Sequence, residues 1–265
     1  MMGDSMFETI RIERDARGVA TLWLARAEKH NALSARMIAE LTQAANLLGD
    51  DRDVRVVVLA GEGKTFCAGG DLGWMREQMA ADAETRAAGA RDLAMMLFAL
   101  NTLPKPLIAR VHGNAFGGGV GMMSVSDIVI AADTATFGLT EVRLGLIPAT
   151  IGPYVLARMG EDKARRVFFS ARLFGADEGE RLNLVSRVVA PDALDQAVED
   201  EVAPFLSAAP GAVAAAKAQC RAYGPAIDPA RIEDSIARLV AVWEGEEAPE
   251  GIAAFFDKRK PGWVA

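Results

Sequence analysis

Hydrophobic and polar positions alternate at the start of the chain. Phe7, Ile10 and Ile12, then residues 19–24 beyond the polar turn at 15–18, predict a β-hairpin. The period then changes. Ser34 precedes Met37, Ile38, Leu41, Ala45 and Leu48, which recur at helical spacing and stop at Gly49. Residues 54–60 (VRVVVLA) are β-branched and nearly uninterrupted, the pattern of a strand buried on both faces. Residues 106–111 (PLIARV) and 127–131 (DIVIA) read the same way. A long helix is predicted over 83–103, stopped by Pro104 and Pro106. Beyond Pro153 the pattern is mostly helical, over 154–159, 161–171, 177–182, 193–209, 230–242 and 249–258. Strands alternating with helices, then a helical C-terminal part, define an α/β chain with no internal repeat and no low-complexity linker.

Composition narrows the function classes. The 265 residues carry 36 acidic side chains against 29 Lys and Arg, a net charge of −7. A chain of that charge is a poor binder of nucleic acid, which needs clustered cations. Two cysteines, Cys67 and Cys220, cannot make a disulfide framework and read as reduced intracellular thiols. With only His30 and His112 besides, a zinc centre of ordinary ligand type is not expected. Residues 1–10 carry Asp4 and Glu8 and lack a basic signal-peptide start. The longest apolar run, 93–100, falls short of the roughly 20 residues that cross a bilayer. A cytoplasmic protein without membrane partners is expected. The 25 glycines then call for a reason.

Several motifs fail on inspection. Residues 61–65 (GEGKT) end like a phosphate loop, but Val58 stands where that loop needs its first glycine. The glycines at 113–121 miss the dinucleotide-binding register, and neither a G-x-S-x-G elbow nor H-E-x-x-H is present. His112 has no nucleophile near it in sequence and reads as a packed strand-end residue. Two segments survive: 65–72 (TFCAGGDL) and 111–121 (VHGNAFGGGVG), each running from a strand through glycines into a helix. Both present unpaired amides at a helix start, where glycine allows close approach of a ligand. Two such starts converging would form a main-chain oxyanion site; close helix–strand packing explains the glycines equally well. Glu141, in the apolar stretch 137–148 (FGLTEVRLGLIP), is either a surface carboxylate or a desolvated general acid–base.

These segments together resemble the crotonase superfamily, the enoyl-CoA hydratase/isomerase family. The resemblance starts at 25–34 (ARAEKHNALS), passes through FCAGGDL, HGNAFGGGVG and the F-G-x-x-E segment, and ends at 250–261 (EGIAAFFDKRKP). It covers essentially the whole chain. It implies a crotonase-like spiral of ββα units over 1–200 holding an acyl-CoA site. Residues 201–265 would form a C-terminal helical trimerisation region with coenzyme A contacts, in a homotrimer or dimer of trimers. It places the oxyanion amides at Gly70 and Gly118 and the acid–base carboxylate at Glu141. Ala27, Lys29, Ala68, Gly69, Asp71, Leu72, Gly117 and Gly121 map to the substrate and coenzyme A site. Phe255 and Lys258 resemble residues that reach the coenzyme from a neighbouring subunit. No cofactor is implied beyond the coenzyme A moiety of the substrate.

One departure bears on the reaction. Hydratases of this family commonly carry a second glutamate two residues after the glycine triplet, where this chain has Gly121. The position reads as a missing carboxylate. A hydratase and a Δ3,Δ2-enoyl-CoA isomerase, which needs one carboxylate, both stay open; so does a non-catalytic acyl-CoA- or RNA-binding member. Residues 111–127 and 139–149 are similar to a hydratase subgroup acting on methylglutaconyl-CoA and isohexenylglutaconyl-CoA in leucine and isoprenoid breakdown, which favours hydration. Arg76 and Arg143 are the candidate cations for a second substrate carboxylate.

Overall fold

A computed structural model describes residues 7–264; residues 1–6, part of the stretch read as lacking a signal peptide, lie outside the described residues. The expected hairpin is β1 (Ile10–Arg14) and β2 (Val19–Leu24), antiparallel with Ile12 opposite Leu22. Then come α1 (Ala35–Asp50), β3 (Val56–Gly61), β4 (Thr65–Cys67), α2 (Leu72–Ala80), α3 (Ala83–Thr102), β5 (Leu107–Val111), β6 (Asn114–Phe116) and α4 (Gly118–Val125). After β7 (Ile128–Ala132) and β8 (Thr136–Gly138), a 3-10 turn at Glu141–Leu144 precedes α5 (Gly152–Met159), α6 (Glu161–Phe168) and β9 (Phe174–Gly175). The chain ends through α7 (Ala176–Arg181), β10 (Arg187–Val189), α8 (Leu194–Ser207), α9 (Pro210–Tyr223), α10 (Pro229–Trp243) and α11 (Glu247–Phe256).

Two sheets organise these elements. The larger has the order β1-β2-β3-β5-β7-β10, and every pairing after the hairpin is parallel. The smaller has the order β4-β6-β8-β9, parallel except for its last pair. The chain visits them in rotation: a strand of the large sheet, a short strand of the small one, then a helix or helical turn. Three such ββα passes, at 56–80, 107–125 and 128–144, form the spiral. They lay β4, β6 and β8 side by side, so the segments following them emerge in a row.

The uninterrupted apolar strands have two faces to cover. Val57, Leu59, Leu107, Ala109, Val111, Val129 and Ala131 point into the main core with α1, α3 and α4. The alternate residues Val56, Val58, Ile108 and Ile130 point the other way, against Leu194, Ala197, Val198 and Val202 of α8. Residue 200 therefore lies inside a helix that covers the sheet. Of the C-terminal helices, α10 packs on α3 and α11 on the 3-10 turn. The predicted helix list omitted α9, which buries none of its residues. Its run of alanines has no apolar stripe for periodicity to detect. Among the described residues, no helix is long and apolar enough to cross a membrane.

Asn31 joins the first loop to the sheet. It is fully buried at φ 53°. Its Oδ1 accepts from the Arg26 amide, and its Nδ2 donates to the Glu62 and Thr65 carbonyls at 2.9 and 2.8 Å. Replacement by Ala leaves buried groups unpaired and puts a Cβ-bearing residue without a compensating side chain in the left-handed region. Asn31→Ala is expected to lower stability by roughly 3 kcal/mol in urea unfolding.

Candidate active site

Three loops meet at the ends of β4, β6 and β8. The first carries Gly69 and Gly70. Leu33 forms a parallel bridge with Gly70: its N–H donates to the Gly69 carbonyl at 2.7 Å, and its carbonyl accepts from the Asp71 N–H at 3.0 Å. A bridge of this kind uses the groups on either side of Gly70 and turns Gly70's own N–H away from Leu33. Among the described residues that amide has no acceptor. The second loop carries Gly117 and Gly118. Gly118 is the first residue of α4, so its N–H has no helical partner. The helix bonds begin with the Gly121 N–H, which donates to the Gly117 carbonyl at 3.0 Å.

Glycine is required where these backbones touch. Gly69 has φ +89° and Gly117 φ +46°, conformations that L side chains rarely adopt. A Cβ on Gly69 would stand 3.1 Å from the Phe116 carbonyl oxygen. One on Gly117 would stand 3.8 Å from the Gly69 Cα and 3.3 Å from Glu141 Oε1. The close approach that would explain the glycines by packing is therefore also what brings the two glycine loops together and Glu141 Oε1 up to Gly117.

Glu141 opens the 3-10 turn after β8. Its Oε2 is shut off from solvent and has no hydrogen-bond partner. Burial pushes the carboxyl up from an ordinary 4.5 to about 7, opposed weakly by Glu141's own backbone N–H. The site thus holds two uncommitted amides and a carboxyl that is half ionised near neutral pH. Glu141 as a residue is half-buried, and the withdrawal of its Oε2 from solvent favours the desolvated reading over the surface one.

Other predicted residues sort around this centre. Asp71 caps α2, Oδ1 accepting from Gly73 and Trp74, while Oδ2 pairs with Arg26 at 3.0 Å. Burial alone would raise its carboxyl, but these bonds hold it below the usual carboxylate range. Asp71 therefore fixes the turn that orients Gly70. Leu72 is exposed. Ala27 and Lys29 form a 3-10 turn, closed at His30, whose carbonyl accepts from the Ala68 N–H at 3.0 Å. The turn and the glycine loop are thus joined, with Lys29 exposed at their edge. His112 is a packed strand-end residue: Nε2 lies 3.0 Å from the Gly63 carbonyl, and burial lowers its pKa.

Gly121, read as the place of a missing carboxylate, has no room for a side chain unless its neighbours repack. It is buried in α4, and a Cβ there would stand 2.6 Å from Ile151 Cγ2 and 3.1 Å from Leu97 Cδ1. Phe255 and Lys258 lie at and beyond the exposed end of α11, which packs on this same chain's 141–144 turn. Arg143 is exposed on that turn, and the Arg76 guanidinium sits over the Phe256 ring. Leu33, Ile151 and Leu97 escaped sequence reasoning. Leu33 lies within the matched 25–34 motif, but nothing in the pattern announced its bridge to Gly70.

Known proteins share this sequence pattern and fold. Residues 14–265 match the model of the enoyl-CoA hydratase/isomerase family. A Mycobacterium tuberculosis protein named "Probable enoyl-CoA hydratase" is 36% identical over 258 residues, 96% of this chain and 97% of the relative. A crystal structure of an enoyl-CoA hydratase from Shewanella pealeana superposes with a TM-score of 0.79 at 36% identity, covering 98% of this chain and 97% of the other. Pseudomonas aeruginosa AtuE gives 0.78 at 38% identity, covering 97% and 100%. With its ββα spiral and its carboxylate at the mouth of two glycine loops, the chain belongs to the enoyl-CoA hydratase/isomerase family.

Proposed function

We propose that the protein hydrates the α,β-double bond of an enoyl-CoA thioester, with Glu141 as its only acid–base group. The supporting observation is the half-buried Glu141, whose Oε2 is withdrawn from solvent and unpartnered and whose Oε1 lies against Gly117, at the glycine loop that leads into α4. Glu141 in its ionised form takes a proton from water as the water oxygen bonds to C3. The C2=C3 electron pair moves through the conjugated system to the thioester oxygen, giving an enolate that accepts from the two amides. The enolate reforms the carbonyl as C2 takes the proton back from Glu141. Loss of one such donor typically slows a reaction about 10²- to 10³-fold. Lys29, Ala27 and Ala68 supply the edge along which the coenzyme lies. The same reading includes a branched glutaconyl-type acyl chain, a cytoplasmic location and assembly as a homotrimer or dimer of trimers, for which the exposed outer face of α9 is available.

A second reading has one observation in its favour. The packed Gly121 position offers no second carboxylate to hold water, and Glu141 alone suffices to carry a proton between C2 and C4. Enoyl-thioester absorbance separates the readings: crotonyl-CoA or methylglutaconyl-CoA loses its conjugation under a hydratase, whereas a 3-enoyl-CoA gains it under an isomerase. Loss of absorbance is expected, and gain alone overturns the hydratase reading. Glu141→Gln is expected to reduce turnover at least ~10³-fold while coenzyme A binding, measured by calorimetry, stays within a few-fold.

Titration gives independent checks. The free enzyme needs the ionised base, so kcat/KM is expected to rise through about pH 7 and then level off. Stability runs the other way. Between 4.5 and about 7 the folded protein holds a proton that the unfolded chain releases, so folding weakens as pH rises. Above pH 7 the buried charge costs roughly 3 kcal/mol. Glu141→Gln is accordingly expected to melt higher than the wild type at pH 8, with the difference fading toward pH 4. Gly121→Glu, by contrast, forces a side chain against Ile151 and Leu97. It is expected to lose several degrees in thermal melting and to gain no hydration of crotonyl-CoA.

A further inference from the structure

We propose that Arg76 is a positioning residue, whose stack on Phe256 fastens the oxyanion half of the site to its acid–base half. This rests on the reading of Gly70 as a carbonyl donor and Glu141 as the acid–base group. The two halves sit on separate elements. Gly70 leads through Asp71 into α2, and Glu141 opens the 3-10 turn. Helix α2 is lightly held. None of its residues is buried, and only Trp74 and Met79 pack against the core. Its first turn is pinned by Asp71 and Arg26, and its body depends on what its side chains touch.

Arg76 makes such a contact. Its guanidinium carbon lies 4.6 Å from the centroid of the Phe256 ring in α11. Among the described residues, no carboxylate or carbonyl accepts from that guanidinium, so the ring is its main attachment. Phe256 is itself fixed, packed against the core and edge-to-face with Phe255 at 5.5 Å. Helix α11 then meets the Glu141 turn backbone to backbone. A Cβ on Gly251 would stand 2.5 Å from the Leu144 carbonyl carbon, and one on Gly145 2.5 Å from that of Glu247. A continuous path therefore runs from Gly70 through α2, Arg76, Phe256 and α11 to the turn of Glu141. On the α2 side, Met75 lies beside Gly70: a Cβ on Gly70 would be 3.6 Å from Met75 Cγ. Release of the stack frees α2 to shift, and the Gly70 amide with it, relative to Glu141. Small misplacements of this kind act on the reacting geometry more than on coenzyme affinity.

The test compares Arg76→Ala, Arg76→Lys, Phe256→Leu and the Arg76→Ala/Phe256→Leu double variant with the wild type. Steady-state kinetics is run on whichever enoyl-CoA the wild type turns over, and hydrogen–deuterium exchange is followed at the amides of residues 73–80. Arg76→Ala and Phe256→Leu are each expected to lower kcat by about 3- to 10-fold, with KM within about twofold. Exchange in α2 is expected to quicken by a similar factor. The double variant should be no worse than the poorer single one, since both break one contact. Arg76→Lys, which keeps a cation over the ring, should fall between wild type and Arg76→Ala. Unchanged exchange in α2, unchanged kcat with faster exchange, or additive losses would each overturn the proposal. A wild type inactive on every thioester overturns the functional reading instead, and the exchange measurement still decides whether Arg76 fastens α2.

Discussion

The site depends on the contact of bare backbone with bare backbone at Gly69 and Gly117. These residues lie where β4 and β6 leave the small sheet, and both have positive φ. A methyl at either glycine would press on a neighbouring atom, the Phe116 carbonyl oxygen for Gly69 and Glu141 Oε1 for Gly117. The parallel order β4-β6-β8 makes the encounter unavoidable, because each strand delivers its following loop to the same edge. Ligand sites in parallel sheets gather at the carboxyl ends of strands for this reason. Here three successive passes of one spiral each contribute one part: an amide, an amide and a carboxyl.

How much of this was legible depends on the length of each signal. The long elements were: the hairpin, α1, α3 and the three buried strands, because five or more residues suffice to establish a period. The small sheet was not read as a sheet, since its strands have two or three residues. α9 was missed because its half-buried face is built from Val213, Ala214, Lys217 and Arg221, which form no large apolar stripe. In the site, the glycine runs at 69–70 and 117–119 announced a close approach, and family resemblance assigned the amides to Gly70 and Gly118. That Glu141 is desolvated could not be read from its position, for burial belongs to the fold. Gly121 shows the limit most clearly. In sequence it is only the absence of a carboxylate; in the structure Leu97 and Ile151, 24 residues before it and 30 after it, fill the space.

A single carboxylate differs electrostatically from a pair. Two close carboxylates titrate as a coupled pair, one pushed up and the other held down. Glu141 is moved by burial, and no charged neighbour acts on it. Its acid–base behaviour is therefore that of a single group with one midpoint near 7. A group that must first accept a proton and then return it within one turnover works best when neither form is strongly preferred at the working pH. Division of labour between two glutamates is one way to satisfy both halves of a proton relay. On the proposed hydratase reading, desolvation of one glutamate to the midpoint is another. The cost is borne by the fold, which above neutral pH must hold an ionised carboxyl out of water.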